Sequence, residues 1–154
     1  MSAAPAEGGG GKQVAFVLVK PDGVKRNLVD ILLGEYETHG FECLARVKFG
    51  GRERLAERFR QHYAEHTDKP YFADLVREMS TNGSIVAAIF RAKTPSISGA
   101  ADVTDAARTI CKYIRLSRAE SVRHNTIHVS DSPEAAAREI GIWFPPALIA
   151  DLDL

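Results

Sequence analysis

Along this chain the apolar residues change their period several times, and each change marks an element. Val14-Ala15-Phe16-Val17-Leu18-Val19 is continuously apolar and rich in β-branched residues, the pattern of a strand buried on both faces. Lys20-Pro21-Asp22-Gly23 ends it, because proline presets a turn and Asp-Gly completes it, leaving Lys20 at the strand's last position. Over 27–39 apolar residues recur at Leu28, Ile31, Leu32 and Tyr36 with Gly40 as a stop, which predicts an amphipathic helix. Residues 41–49 alternate Phe41, Cys43, Ala45, Val47 and Phe49 against Glu42, Leu44, Arg46 and Lys48, a strand largely wet on one face. Two helices follow over 52–66 and 70–79, a hairpin suited to act as a lid. Asn82-Gly83 reads as a turn, and 84–90 as a third, buried strand. Residues 95–107 begin helically and dissolve into a loop, and 109–123 carries no clean period, which predicts an irregular connection holding Arg115, Arg118 and Arg123. The fourth strand is 125–129. Ser132 as N-cap with Pro133 at the first helical position then opens a helix through Ile142 that ends before Pro145-Pro146. The order β-α-β, helices, β-α-loop-β, α predicts one α+β domain, a ferredoxin-like sandwich in which helices cover a four-stranded antiparallel sheet.

Composition narrows the classes. The 154 residues are 45% hydrophobic and 26% charged, an ordinary globular balance with enough apolar material for one core. Twenty basic and twenty acidic residues leave no net charge, so no electrostatic engine for nucleic acid or an anionic membrane is visible. Cys43 and Cys111 have neither metal-ligand spacing nor the density of a disulfide scaffold, and read as free thiols in a reducing cytosol. Residues 1–12 are small and glycine-rich, a flexible leader without the apolar run of a signal peptide, and 13–154 form the single domain. No apolar stretch is long enough to span a bilayer.

The chemistry centres on the fourth strand. Alternation puts Ile127 and Val129 on one face and Thr126 and His128 on the other, so the imidazole faces away from the core that Ile127 enters. The following helix carries Glu139 past the same turn, where a carboxylate approaches the ring. By itself a histidine at a strand end is an ordinary solvated residue. What changes the picture is that Lys20, Tyr63, Arg115, Asn125 and His128 all fall at strand ends or on connecting segments, where functional residues concentrate. Gathered on one rim they would make a phosphate site, with cations neutralising oxygens and a histidine able to attack phosphorus. A P-loop is excluded, since no Gly-x-x-x-x-Gly-Lys-Ser/Thr run exists. His39, His62, His66 and His124 read as solvated or packing residues, Phe72 as core, and no metal cluster is apparent.

Val19-Lys20-Pro21-Asp22-Gly23-Val24, His62-Tyr63, Asp68-Lys69-Pro70-Tyr71-Phe72, Ile114-Arg115 and Asn125-Thr126-Ile127-His128-Val129-Ser130-Asp131-Ser132, with Glu139-Ile140-Gly141-Ile142-Trp143-Phe144, together resemble the nucleoside diphosphate kinase family over residues 14 to about 150. The resemblance implies a ping-pong phosphotransfer in which His128 takes the γ-phosphoryl group of a nucleoside triphosphate and passes it to a nucleoside diphosphate. In it, Ser130 and Glu139 orient and polarise the imidazole, and Lys20 and Asn125 contact the sugar hydroxyls, with Lys20 also near the transferred phosphate. Tyr63, Thr104 and Arg115 hold phosphates, while Tyr71 stacks on the base in the place of the family's usual phenylalanine, with Val122 on the other face. Stacking discriminates little between bases. Mg2+ would arrive bridging the phosphates without a dedicated protein ligand set. A homo-oligomer and a cytoplasmic location are implied, and a nucleic-acid partner is not.

Departures from that pattern fall between Phe90 and Arg115. Gly99-Ala100-Ala101-Asp102-Val103-Thr104-Asp105-Ala106-Ala107 has alanine where the family has arginine, two residues fewer, and no proline after the threonine. Arg91 or Arg108 is left to substitute from elsewhere. A charge-assisted phosphate contact is worth about 1.5–3 kcal/mol, so its uncompensated loss slows the reaction roughly tenfold to a hundredfold. The same loop builds trimers in family members, and Val129 stands where the family has glycine. The rival expectation is a nucleotide-binding regulatory or scaffold protein with weak or no turnover. An RNA-binding ferredoxin-like module is disfavoured, because the strands lack an exposed aromatic platform.

Overall fold

The computed structural model describes residues 14–81, 83–93, 100–120 and 125–154. The leader over 1–12, Asn82, Gly99, Val122, Arg123 and His124 lie outside the described residues. In order the elements are β1 (Val14–Val19), α1 (Pro21–Lys25), α2 (Val29–Thr38), β2 (Phe41–Phe49), α3 (Arg52–His62), a 3-10 turn (Ala64–His66), α4 (Phe72–Thr81), β3 (Ile85–Ala92), α5 (Ala100–Arg118), β4 (Ile127–Val129), α6 (Pro133–Trp143) and α7 (Pro146–Leu152). The strands form one sheet in the order β2-β3-β1-β4, every pair antiparallel.

β1 lies in the interior of that sheet, and its alternate residues enter two different cores. Ala15, Val17 and Val19 join Leu32, Leu33 and Tyr36 of α2 and Val103, Ala107, Ile110, Cys111 and Ile114 of α5. Val14, Phe16 and Leu18 join Leu55 and Phe59 of α3, Val76 and Met79 of α4, and Ala136, Ile140 and Trp143 of α6. A strand buried on both faces must be apolar throughout, which is why its pattern is continuous.

Several elements differ from the sequence reading. α5 is one helix, so the irregular connection expected over 109–123 is corrected as far as Arg118. Val103, Ala107, Ile110, Cys111 and Ile114 recur at three- and four-residue intervals on the buried side, and no proline or glycine interrupts the run. The Tyr36 hydroxyl, donating to the Ala107 carbonyl at 3.0 Å, pins α5 to α2. In β2 a bulge between Cys43 and Ala45 reverses the alternation, so that Phe41 and Cys43 face the first core and Ala45, Val47 and Phe49 the second. The segment after Lys20 is the short helix α1 rather than an isolated turn, with Lys20 at its N-cap. At the other end the Ser132 hydroxyl accepts from the Ala135 N–H at 3.0 Å, the cap expected of that sequence. An additional helix, α7, follows Pro145.

Candidate active site

β4 places its histidine by register. His128 stands opposite Leu18 of β1, so its ring emerges on the face of the second core, against Phe16. From below, α6 brings Glu139, whose residue is only 4% exposed. His128 Nε2 lies 2.9 Å from Glu139 Oε1, and the Ser130 hydroxyl donates to the same oxygen at 2.5 Å. Facing a carboxylate, Nε2 carries the ring proton, and Nδ1 is left with the lone pair. Burial alone would push the Glu139 carboxyl up, but the His128 hydrogen bond and charge, His62 and the Ser130 hydroxyl together hold it below the ordinary value. Glu139 is therefore an anion at neutral pH, able to orient the imidazole and to stabilise positive charge on it.

His62, which the sequence reading left among solvated or packing residues, belongs beside this pair. It is buried at the end of α3, its ring centroid 4.6 Å from that of His128. The Trp143 indole N–H donates to its Nδ1 at 3.1 Å, leaving the proton on Nε2. Burial, then the neighbouring His128, lower its pKa to about 3 against the pull of Glu139, so the ring is neutral. The signal available was its position: Leu55, Phe59 and His62 share the buried stripe of α3. His62, His128 and Glu139 present donor atoms within 4.8 Å of one another, a group the sequence did not reveal. Two nitrogens and one carboxylate do not match the oxygen-rich demand of Mg2+.

A second cluster of the expected residues hangs from the end of β1, where Lys20 and Asn125 meet outside the described lining of the cleft over His128. Lys20 is only 8% exposed, and its Nζ donates to Asn125 Oδ1 at 2.7 Å. Burial, then repulsion from Arg115, lower its pKa to about 8, with Asp22 opposing. Its backbone N–H donates to the Thr126 carbonyl at 2.8 Å. Thr126 is held at φ +69°, and the Ile127 N–H donates back to the Asn125 carbonyl at 2.8 Å, a γ-turn of the strained kind. Gly23 makes room for it, since a Cβ there would stand 2.9 Å from Val19 Cγ1 and 3.0 Å from the Thr126 carbonyl. Arg115 directs Nε and Nη2 at the Ile127 carbonyl, at 3.1 and 2.8 Å.

A cleft of about 770 Å³ opens over His128, with His62, Tyr63, Arg115 and Glu139 in its wall and Arg108, Thr109, Lys112 and Leu116 of α5 along one side. Burial pushes the Tyr63 phenol up, which keeps it a neutral donor. Tyr71 lies at the margin, its hydroxyl 2.8 Å from Nδ1 of His66, and His66 lines the cleft. Thr104 is half-buried on α5, outside the described lining, whereas Thr109 and Arg108 are within it. Arg91, the other suggested substitute, sits on β3 opposite Val14 and Glu42.

The nucleoside diphosphate kinase family model matches residues 13–149. A nucleoside diphosphate kinase of Mycolicibacterium smegmatis is 44% identical over 135 residues, covering 84% of this chain and 93% of the relative. One of Nocardia farcinica is 40% identical over 140 residues, covering 88% of this chain and 96% of the relative. A crystal structure of the Aquifex aeolicus nucleoside diphosphate kinase superposes with a TM-score of 0.68 at 27% identity, over 88% of this chain and 96% of the other. With a family model spanning nearly all of the described residues and relatives matched over most of their length, this chain belongs to the nucleoside diphosphate kinase family.

Proposed function

We infer that this chain transfers the γ-phosphoryl group of a nucleoside triphosphate to a nucleoside diphosphate through a phosphohistidine, with His128 as the phosphorylated residue. The observation that carries the assignment is the His128–Glu139 pair: Nε2 is tied to a buried carboxylate, and Nδ1 keeps a lone pair in a cation-lined cleft. In the first half-reaction the Nδ1 lone pair forms a bond to the γ-phosphorus while the bond to the bridging oxygen breaks, and the nucleoside diphosphate leaves with that electron pair. In the second, a terminal phosphate oxygen of another diphosphate takes the phosphoryl group and Nδ1 recovers its pair. Glu139, with Ser130 beside it, stabilises the charge on the imidazole. Lys20 and Arg115 stabilise charge on the transferred group, Tyr63 donates from its phenol, and Asn125 and Lys20 take the sugar hydroxyls. Tyr71 offers a face to the base.

Mg2+ would enter on the nucleotide's phosphates, neutralising charge that the cleft's cations then share. A homo-oligomer in the cytoplasm is the setting proposed from the family. Among the described residues no helix is long and apolar enough to cross a membrane. The purely regulatory or scaffold reading is not favoured, because the chain belongs to a family of kinases and keeps Ser130 and Glu139 in hydrogen-bonding contact behind His128.

The test is covalent labelling. ATP labelled in its γ-phosphate should leave a label that survives alkali, vanishes in acid, is discharged by nucleoside diphosphates, and is absent from His128→Ala. Wild-type protein that binds ATP with magnesium and never acquires the label would defeat the reading.

A further inference from the structure

Resting on that phosphotransfer reading, we propose that Arg108 and Lys112 form a phosphate arm on α5 that holds the diphosphate portion of the nucleotide along the α5 wall of the cleft. The argument starts from the faces of α5. Val103, Ala107, Ile110, Cys111 and Ile114 are packed on the sheet, which leaves Arg108 and Lys112 on the cleft side, both exposed. Four residues apart, they stand one turn from each other with their Cβ atoms roughly 5–6 Å apart, so that two long side chains can converge on one polyphosphate chain.

The other cations near the cleft already have partners. Arg115 grips the Ile127 carbonyl, Arg138 donates to the Gln61 carbonyl and lies 3.5 Å from Glu139, and Lys20 holds Asn125. The Thr109 hydroxyl donates to the Asp105 carbonyl at 2.8 Å. Among the described residues Arg108 and Lys112 alone line the cleft as cations with no hydrogen bond or ion pair in the protein. Two like charges one turn apart repel each other, and an anion between them removes the repulsion. An arginine fork takes two oxygens of one phosphate, and the lysine supplies a mobile point charge to the next. The substrate class follows: the arm recognises the phosphate chain and not the nucleoside, so it serves any base.

The experiment titrates wild type, Arg108→Ala, Lys112→Ala and the double variant with ADP and with adenosine, and measures His128 labelling by ATP. Each single variant should weaken ADP about tenfold and the double variant more, with adenosine unchanged in all of them and Arg108→Lys recovering part of the loss. The salt dependence of ADP binding should become shallower in the double variant. Arg60→Ala, which removes one positive charge from the far side of α3, should leave ADP affinity and labelling as in wild type. A double variant within twofold of wild type for ADP overturns the arm. So does an equal loss for adenosine, which would mark a disturbed fold. If wild type binds ADP yet never becomes labelled, the phosphotransfer reading fails, while the ADP comparison still decides the arm.

Discussion

Lys20→Met should make the ligand-free protein more stable while making it a poorer phosphotransferase. In the folded chain the ammonium is buried beside Arg115, and its pKa falls from 10.5 to about 8. At 1.36 kcal/mol per tenfold shift, that gap means the charged form is disfavoured by about 3 kcal/mol relative to the unfolded chain. Methionine has a similar unbranched shape and no charge to desolvate. Against this, Asn125 Oδ1 loses its donor, worth about 1 kcal/mol. The net gain is about 2 kcal/mol, or a rise in Tm of about 4–8 °C for a domain of this size. The pH dependence has a definite sign. Between about 8 and 10.5 the unfolded state binds the proton that the folded state has released, so wild-type stability climbs as pH rises through that window. Lys20→Met lacks this climb, so the two curves cross at about pH 9.5, and wild type is the more stable by about 1 kcal/mol at pH 10.5. Labelling of His128 by ATP should meanwhile fall about tenfold to a hundredfold, through loss of a charge-assisted contact to phosphate. Thermal melts of both proteins from pH 7 to 10.5 provide the assay. A variant that melts below wild type at pH 7, with the same pH slope, would refute the reasoning and show that attraction to Asp22 and Asn125 outweighs burial.

Two further substitutions probe the frame around the histidine. Glu139→Gln keeps the shape but removes the carboxylate that orients the ring and stabilises positive charge developing on it, so the rate of labelling should drop by about tenfold to a thousandfold in rapid-quench measurements, with ATP affinity nearly unchanged. Gly23→Ala drives a methyl into Val19 and the Thr126 carbonyl, and should lower stability by about 1–3 kcal/mol in urea titration while depressing labelling through the displaced γ-turn.

How much of this was legible in the sequence depends on whether the deciding contact was local. β1 and the α6 cap were, because a continuous β-branched run and a Ser-Pro pair carry their own reasons. The helical period of α5 was also present in the letters, but it begins at Val103, before the window over 109–123, and that window runs past the helix end at Arg118. The bulge in β2 was invisible, since alternation of residue types continues across Leu44 while the backbone does not. Lys20 reads as a solvated turn lysine until β4 is laid beside β1, and the environment of His62 depends on Trp143, eighty-one residues away. Chemistry-bearing residue types were therefore readable, and their burial, which sets their protonation, was not.

The strand that carries His128 is also an edge strand, and edges recruit other chains. β4 is only three residues long, and register turns the Ile127 and Val129 backbone groups away from β1. Both Ile127 groups are nonetheless closed within the same chain. The Ile127 N–H folds back on Asn125, and the Ile127 carbonyl is clamped by Arg115. The guanidinium at the wall of the cleft thus also covers a peptide group on the open edge of the sheet. Replacing Arg115 would expose the Ile127 carbonyl on a strand edge next to His128, and should lower solubility as well as labelling.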